Sequence, residues 1–163
     1  MGYCYSQTAE SRAINRYIVT KYKGSDGADD LLRLDNLKEA AVVNVWMEVE
    51  SQTFNQPILA IVYEILIAPL LGKATDDELV ETSTEKLEKA LDVYEERLSK
   101  TQYLAGDFYS LADLNHFPYI HYLMKTPKAH VVSSRHRVNA WWERIASRPA
   151  TKKVIQGMSF GGN

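Results

Sequence analysis

The feature that most constrains this chain is a four-residue signature set ahead of a run that is apolar on nearly every side. In YSLADLNHFPYIHYLM, residues 109–124, Ser110 and Asp113 stand three apart. The Ser110 hydroxyl is placed to accept from the backbone N–H of Asp113, and the Asp113 carboxylate to accept from the N–H of Ser110. Tyr109 and Leu114 hold the positions of a hydrophobic staple. A helix apolar all round is surrounded by other helices. Its first amides then have no water to bond, so losing the cap costs about 1 kcal/mol and up to about 2. Pro118 predicts a kink inside the helix.

The remainder also reads as helix. Ile14, Tyr17 and Ile18 recur at helical spacing over residues 10–22, and Gly24, Ser25, Asp26 and Gly27 close that segment as a loop. A long second helix starts near Asp35, with Leu37, Ala41, Val45, Glu48 and then Phe54, Ile58, Ile61 and Ile65 expected to return to one side. Pro57 predicts a bend in it, and Pro69 with Gly72 its end. A Thr75–Glu78 capping box is expected to open a third helix, striped by Leu79, Ser83, Leu87, Ala90, Tyr94 and Leu98. Its outer face carries Glu85–Lys89 and Glu96–Lys100, spaced for i,i+4 ion pairs. Residues 125–132 read as a loop. Ser134 is a candidate cap for a helix burying Val138, Trp141, Trp142 and Ile145. Pro149 suits the first turn of a last helix ending at Gly157. Residues 1–9 read as an irregular tail and SFGGN as a frayed end. No strand-like alternation or repeat interrupts this, so the expected fold class is all-α.

Composition narrows the function classes. The chain has 163 residues, 45% hydrophobic and 25% charged, with net charge −2. That fits one globular domain with a real core, and no basic cluster points to nucleic acid. The longest apolar runs are too short to span a membrane. One cysteine, Cys4, forms no internal disulfide, which favours a reducing, cytoplasmic location. Gly2 and Ser6 match a myristoylation signal only loosely.

Few residues suggest chemistry. His116 and His121 are five apart and fall on different helix faces, so no metal site is expected, and His130 and His136 add no ligand spacing. Cys4 has no neighbouring base. One feature rises above this background: Glu10 and Ser11 begin the first helix, where free N–H groups and the helix dipole favour an anion. Ser11 could bind a ligand carboxylate and Glu10 an ammonium group, which together suit an α-amino-acid head. A plain helix cap is the competing reading.

ESRAI at 10–14, WMEVE at 46–50, YLAGD at 103–107, SLADL at 110–114, and AWW at 140–142 with Arg148-Pro149 together resemble a plant phi-class glutathione S-transferase. The likeness covers about residues 10–157. It implies an all-α C-terminal-type helical bundle over residues 34–157. Residues 10–23 would be the last helix of a thioredoxin-like domain that is otherwise missing, and Ser110 and Asp113 would be a structural capping pair. It also implies that Glu10 and Ser11 hold the γ-glutamyl end of glutathione, a co-substrate, with no separate cofactor. Tyr63, Ile67, Leu70 and, more weakly, Tyr122 would line a pocket for hydrophobic electrophiles, with core packing as the alternative. The family is usually homodimeric. Its thiol-activating serine belongs near the start of the missing domain, and MGYCYSQTA does not resemble that region. The expectation is therefore a truncated detoxification enzyme with little activity alone; the alternative is a non-catalytic helical module that binds ligands or proteins. The uncovered Ile14, Tyr17 and Ile18 would favour self-association.

Overall fold

The computed structural model describes residues 10–23 and 30–158. The tail at 1–9 with Cys4, the loop at 24–27 and the SFGGN end lie outside the described residues. Among the described residues every regular element is helical. Helix α1 is Ser11–Lys21, close to the expected 10–22.

The long second helix is a composite. Helix α2 (Leu37–Val49) begins two residues later than Asp35, because Asn36 caps it by accepting from the N–H groups of Lys38 and Glu39. The backbone then widens at Glu50–Phe54 before α3, Asn55–Val62, and again at Tyr63–Ile67. In the first widening the Asn55 N–H reaches back five residues to the Glu50 carbonyl; in the second the Ala68 N–H reaches the Tyr63 carbonyl at 2.9 Å. Pro57 has no N–H to give and its ring crowds the carbonyl four residues back, so the helix loosens ahead of it. Gly72, at φ 72, ends the segment in the left-handed region that only glycine enters freely.

One expectation about this helix fails. Leu37, Ala41, Val45 and Glu48 do share a face, but it points outward: Leu37 is 86% exposed and Val45 58%. The buried face is Ala40, Val43 and Met47, followed by Glu50 and then Phe54, Ile58 and Ile61. The apolar stripe is real, but none of the described residues covers it.

Helix α4, Asp77–Leu98, is capped by Asp76, whose Oδ1 accepts the Leu79 N–H at 2.9 Å. Thr75, the expected cap, instead donates its hydroxyl to the Glu64 carbonyl. Leu79, expected in the buried stripe, faces outward and Val80 inward, while Leu87, Leu91 and Tyr94 below them are fully buried. Glu96–Lys100 pairs at 2.9 Å, whereas Glu85–Lys89 is not among the ion pairs of the described residues. The expected loop at 125–132 contains a tight turn, Pro127–Ala129, and helix α7, His130–Ser133. Helix α8, His136–Ser147, is not capped by Ser134. Glu95 of α4 accepts the N–H groups of Arg137 and Val138 at 3.0 and 2.9 Å, so the cap is tertiary. Val138, Trp141, Trp142 and Ile145 form the buried face as expected, and α9 is Pro149–Ile155.

The opening signature sits at the centre of this bundle. Helix α5 is Leu111–Leu114 and α6 is Phe117–Leu123; the chain breaks between them at Asn115 and His116, just ahead of Pro118. The capping box is closed. Asp113 Oδ2 accepts both the N–H and the hydroxyl of Ser110, each at 2.9 Å. Asp113 Oδ1 accepts the Leu104 N–H at 3.0 Å and the Trp141 indole N–H at 2.9 Å. Burial pushes the Asp113 carboxyl above its ordinary value, and these donors hold it back. One carboxylate thus ties the 101–109 connection, the start of α5 and helix α8 together.

His116 is fully buried beside it. Its Nδ1 donates to the Ala112 carbonyl at 2.7 Å, so Nε2 accepts from the Tyr94 hydroxyl at 2.9 Å. Burial lowers its pKa to about 3. A base whose folded pKa lies below its unfolded 6.5 contributes stability that is complete above 6.5 and is lost as pH falls from 6.5 toward 3. Unfolding free energy is therefore expected to drop by about 1 kcal/mol from this group between pH 7 and pH 5.5. Denaturant titrations at the two pH values check this, and His116→Asn should remove that part of the difference. An unchanged pH dependence in the variant would contradict the assignment.

Candidate functional site

Glu10 and Ser11 are brought together at the start of α1 as the sequence suggested. Glu10 occupies the cap position but its side chain makes no capping bond, and the first turn carries no acidic residue. The leading N–H groups and the positive end of the helix are therefore uncompensated. Both residues are exposed and open into a cleft of about 510 Å3.

What holds α1 in place is polar. None of its residues is fully buried. Arg12 forms a two-pronged ion pair with Glu50, Nε to Oε2 at 2.6 Å and Nη2 to Oε1 at 2.8 Å. The Glu50 side chain is 1% exposed, and its hydrogen bond raises the Arg12 pKa further. Asn15 Nδ2 donates to Asn115 Oδ1 at 3.1 Å, and Arg16 to Asn44 Oδ1 at 2.8 Å. Arg12, Asn15, Glu50 and Asn115 also line the cleft, joined by Asn55 and Tyr119. Sequence reading missed these six. Arg12 and Glu50 are 38 residues apart, Asn15 and Asn115 are 100 apart, and no local pattern links either pair. An interior glutamate at the loosened turn before Pro57 was the available signal.

The four apolar candidates are placed elsewhere. Tyr63 and Ile67 lie half-buried in the second widened turn, and Leu70 is 66% exposed beyond it. Tyr122 is half-buried on α6, with the Lys125 ammonium 5.5 Å from its ring centre. None of the four lines the cleft at Glu10 and Ser11. A second groove, about 470 Å3 and largely apolar, runs between Ile18 of α1 with Tyr22 just past its end and Phe117, Arg148 and Val154. Beside it Ile14, Tyr17 and Ile18 are 43%, 61% and 45% exposed, the uncovered face expected from the sequence. Among the described residues no cluster of His, Cys, Asp or Glu could hold a metal, and no helix is long and apolar enough to cross a membrane.

Residues 55–149 match the family model for the glutathione S-transferase C-terminal domain. The chain belongs to the glutathione S-transferase family. Its relatives are plant phi-class transferases. It is 53% identical to a probable glutathione S-transferase, GSTF1, of Oryza sativa subsp. japonica over 154 residues, 94% of this chain and 69% of that protein. It is 49% identical to glutathione S-transferase F13 of Arabidopsis thaliana, covering 92% and 68%. The crystal structure of glutathione transferase F7 from Populus trichocarpa superposes with a TM-score of 0.89 at 58% identity, covering 93% of this chain and 70% of that one. Maize glutathione S-transferase I, solved in complex with an atrazine glutathione conjugate, gives 0.83 at 46% identity, covering 90% and 67%. The helical bundle described above is the C-terminal domain of this family, with one further helix, α1, ahead of it.

If the Arg12–Glu50 pair anchors α1, Glu50→Gln should weaken the docking of that helix by about 1.5–3 kcal/mol. Amide exchange in α1 should then accelerate at least tenfold, while amides of α4 and α8 keep their protection. Exchange in α1 equal to that of the parent chain would show that the ion pair does not hold the helix.

Proposed function

We propose that this chain is the helical part of a glutathione transferase that conjugates glutathione to hydrophobic electrophiles. The reading is carried by one observation: in a member of this family, an uncapped helix start presents Glu10 and Ser11 into a cleft. The Ser11 hydroxyl and the free N–H groups of the first turn suit the α-carboxylate of the γ-glutamyl residue, and the Glu10 carboxylate suits its ammonium. The maize relative solved with an atrazine glutathione conjugate is consistent with the same ligand class. In this reading residues 10–23 are the last helix of a thioredoxin-like unit and residues 34–157 the helical domain. Tyr63, Ile67, Leu70 and Tyr122 face the electrophile. Glu10 and Ser11 address the γ-glutamyl residue, whereas the thiol belongs to the next residue, so they bind glutathione without activating it. Little conjugation by this chain alone is the expectation that follows. A cytoplasmic location fits a chain with a single cysteine.

The outward stripe of α2 supports a homodimer. Leu34, Leu37 and Val45 are 43%, 86% and 58% exposed, a face suited to an equivalent face of a second copy. A Leu37→Lys chain that sediments as the parent does would count against this surface.

The binding claim is tested by titrating the chain with glutathione and following α1 amide resonances. The first-turn amides should shift, and Glu10→Gln and Ser11→Ala should each weaken binding about tenfold, the scale of one charge-assisted hydrogen bond. Glutathione that leaves the α1 amides unmoved, or binds both variants as it binds the parent, would reject the assignment.

A further inference from the structure

One buried ionisable group takes no part in the core network or in the first cleft. His121, on α6, is 8% exposed and lies against the rings of Phe117 and Tyr122, and its Nε2 is buried with no hydrogen-bond partner. The ring also meets the backbone of Met158, just beyond α9. One turn further on, Lys125 Nζ donates to the Met158 carbonyl at 3.2 Å. The Met158 N–H donates to the Ile155 carbonyl at 3.0 Å, so the end of α9 is fastened to α6 through this one residue.

The fastening is sensitive to protons. A neutral imidazole donates from one nitrogen and can leave the other as a buried lone pair. A protonated ring brings a second N–H and a charge into apolar surroundings beside the Lys125 ammonium. Burial first, and then Lys125, hold His121 below the ordinary histidine value of 6.5, and the bond to Met158 offsets them only in part. No acid on the packed elements answers the charge. Helix α3 carries no ionisable side chain, and α8 turns Val138, Trp141, Trp142 and Ile145 inward. Helix α9 offers only the exposed Lys152 and Lys153, and α6 itself the phenols of Tyr119 and Tyr122. The consequence reaches the second groove, because Thr151 and Val154 of α9 line it together with Phe117, whose ring centre is 6.1 Å from that of His121.

We propose that His121, Lys125 and the Met158 carbonyl form an acid-released latch that holds the end of α9 on α6 and so sets how open the apolar groove is. Opening returns His121 to water, where it ionises at its ordinary 6.5, whereas the closed latch ionises lower. The closed form is therefore fully favoured above 6.5 and loses ground as pH falls through its own, lower value. A single proton limits the change in the open-to-closed ratio to about tenfold per pH unit. The latch stands independently of the glutathione assignment.

The test follows the full chain by NMR, isotope-labelled at its methionine methyl groups, from about pH 7.5 to about pH 4.5, a window that spans the ordinary histidine range. His116, at about 3, stays outside it. The His121 ring should titrate with a midpoint below 6.5, and the Met158 methyl should move with the same midpoint. The methyl of Met47, 1% exposed in the core, should stay still. Lys125→Met should carry both midpoints upward toward 6.5, because it removes the like charge and one bond to Met158. His121→Phe should leave the Met158 methyl in its closed position throughout. A Met158 methyl that ignores the His121 titration, or that moves equally in a folded His121→Phe chain, would overturn the latch. So would a His121 midpoint at or above 6.5. If His121→Phe does not fold, Lys125→Met decides: midpoints left at the parent values overturn the proposal, and midpoints raised together support it.

Discussion

The structure depends first on where the Asp113 carboxylate finds its hydrogen bonds. Taken from water without partners, such a group would favour its neutral form and destabilise whatever buried it. Here both oxygens are used twice, by the Ser110 N–H and hydroxyl on one side and by the Leu104 N–H and Trp141 indole on the other. Each donor would itself be stranded in an apolar core without that acceptor. The arrangement is therefore mutual. It fixes the entry of α5, the path of the 101–109 connection and the rotation of α8 at one point, and Phe54, Tyr94, His116 and Trp141 pack edge to face or stacked around it.

The cleft is organised on a different principle. Helix α1 is held to the bundle by an ion pair and two side-chain hydrogen bonds, with its apolar residues half-open to solvent. Polar anchoring sets direction where apolar burial would set only proximity, because Arg12 and Glu50 meet in a fixed two-pronged geometry. That direction aims the uncapped start of α1 into the cleft. Glu50 continues the buried face of Ala40, Val43 and Met47, so the carboxylate that receives Arg12 comes from inside the bundle. The core is thus built around one carboxylate and the site around another.

Much of the core was legible in sequence because its signals are local. The Ser110–Asp113 spacing, the Val138–Trp141–Trp142–Ile145 periodicity and the Pro118 break each lie within one or two turns, and each appears in the structure. Failures came where local patterns had two readings. Leu37, Ala41 and Val45 form a good apolar stripe, but periodicity reports that residues share a face and not whether that face is covered. Thr75 and Asp76 are both competent caps, and the Glu64 carbonyl, distant in sequence, engages the Thr75 hydroxyl. Ser134 lost its role to Glu95 of another helix. The cleft was half legible. Glu10 and Ser11 announce themselves through helix-end chemistry, whereas Arg12–Glu50, Asn15–Asn115, Asn55 and Tyr119 converge only through tertiary structure. The family resemblance carries the fold and the class; the polar wall exists only in the tertiary structure.

The central claim is that the Asp113 carboxylate is a joint of the whole bundle and more than a local cap. Native-state hydrogen exchange of the Leu104 and Ser110 amides, the two backbone donors it receives, tests this most directly. Both amides are predicted to exchange only through global unfolding, with the same free energy and the same denaturant dependence as the slowest amides of α4. Exchange of either by local fluctuation, orders of magnitude faster and insensitive to denaturant, would contradict it.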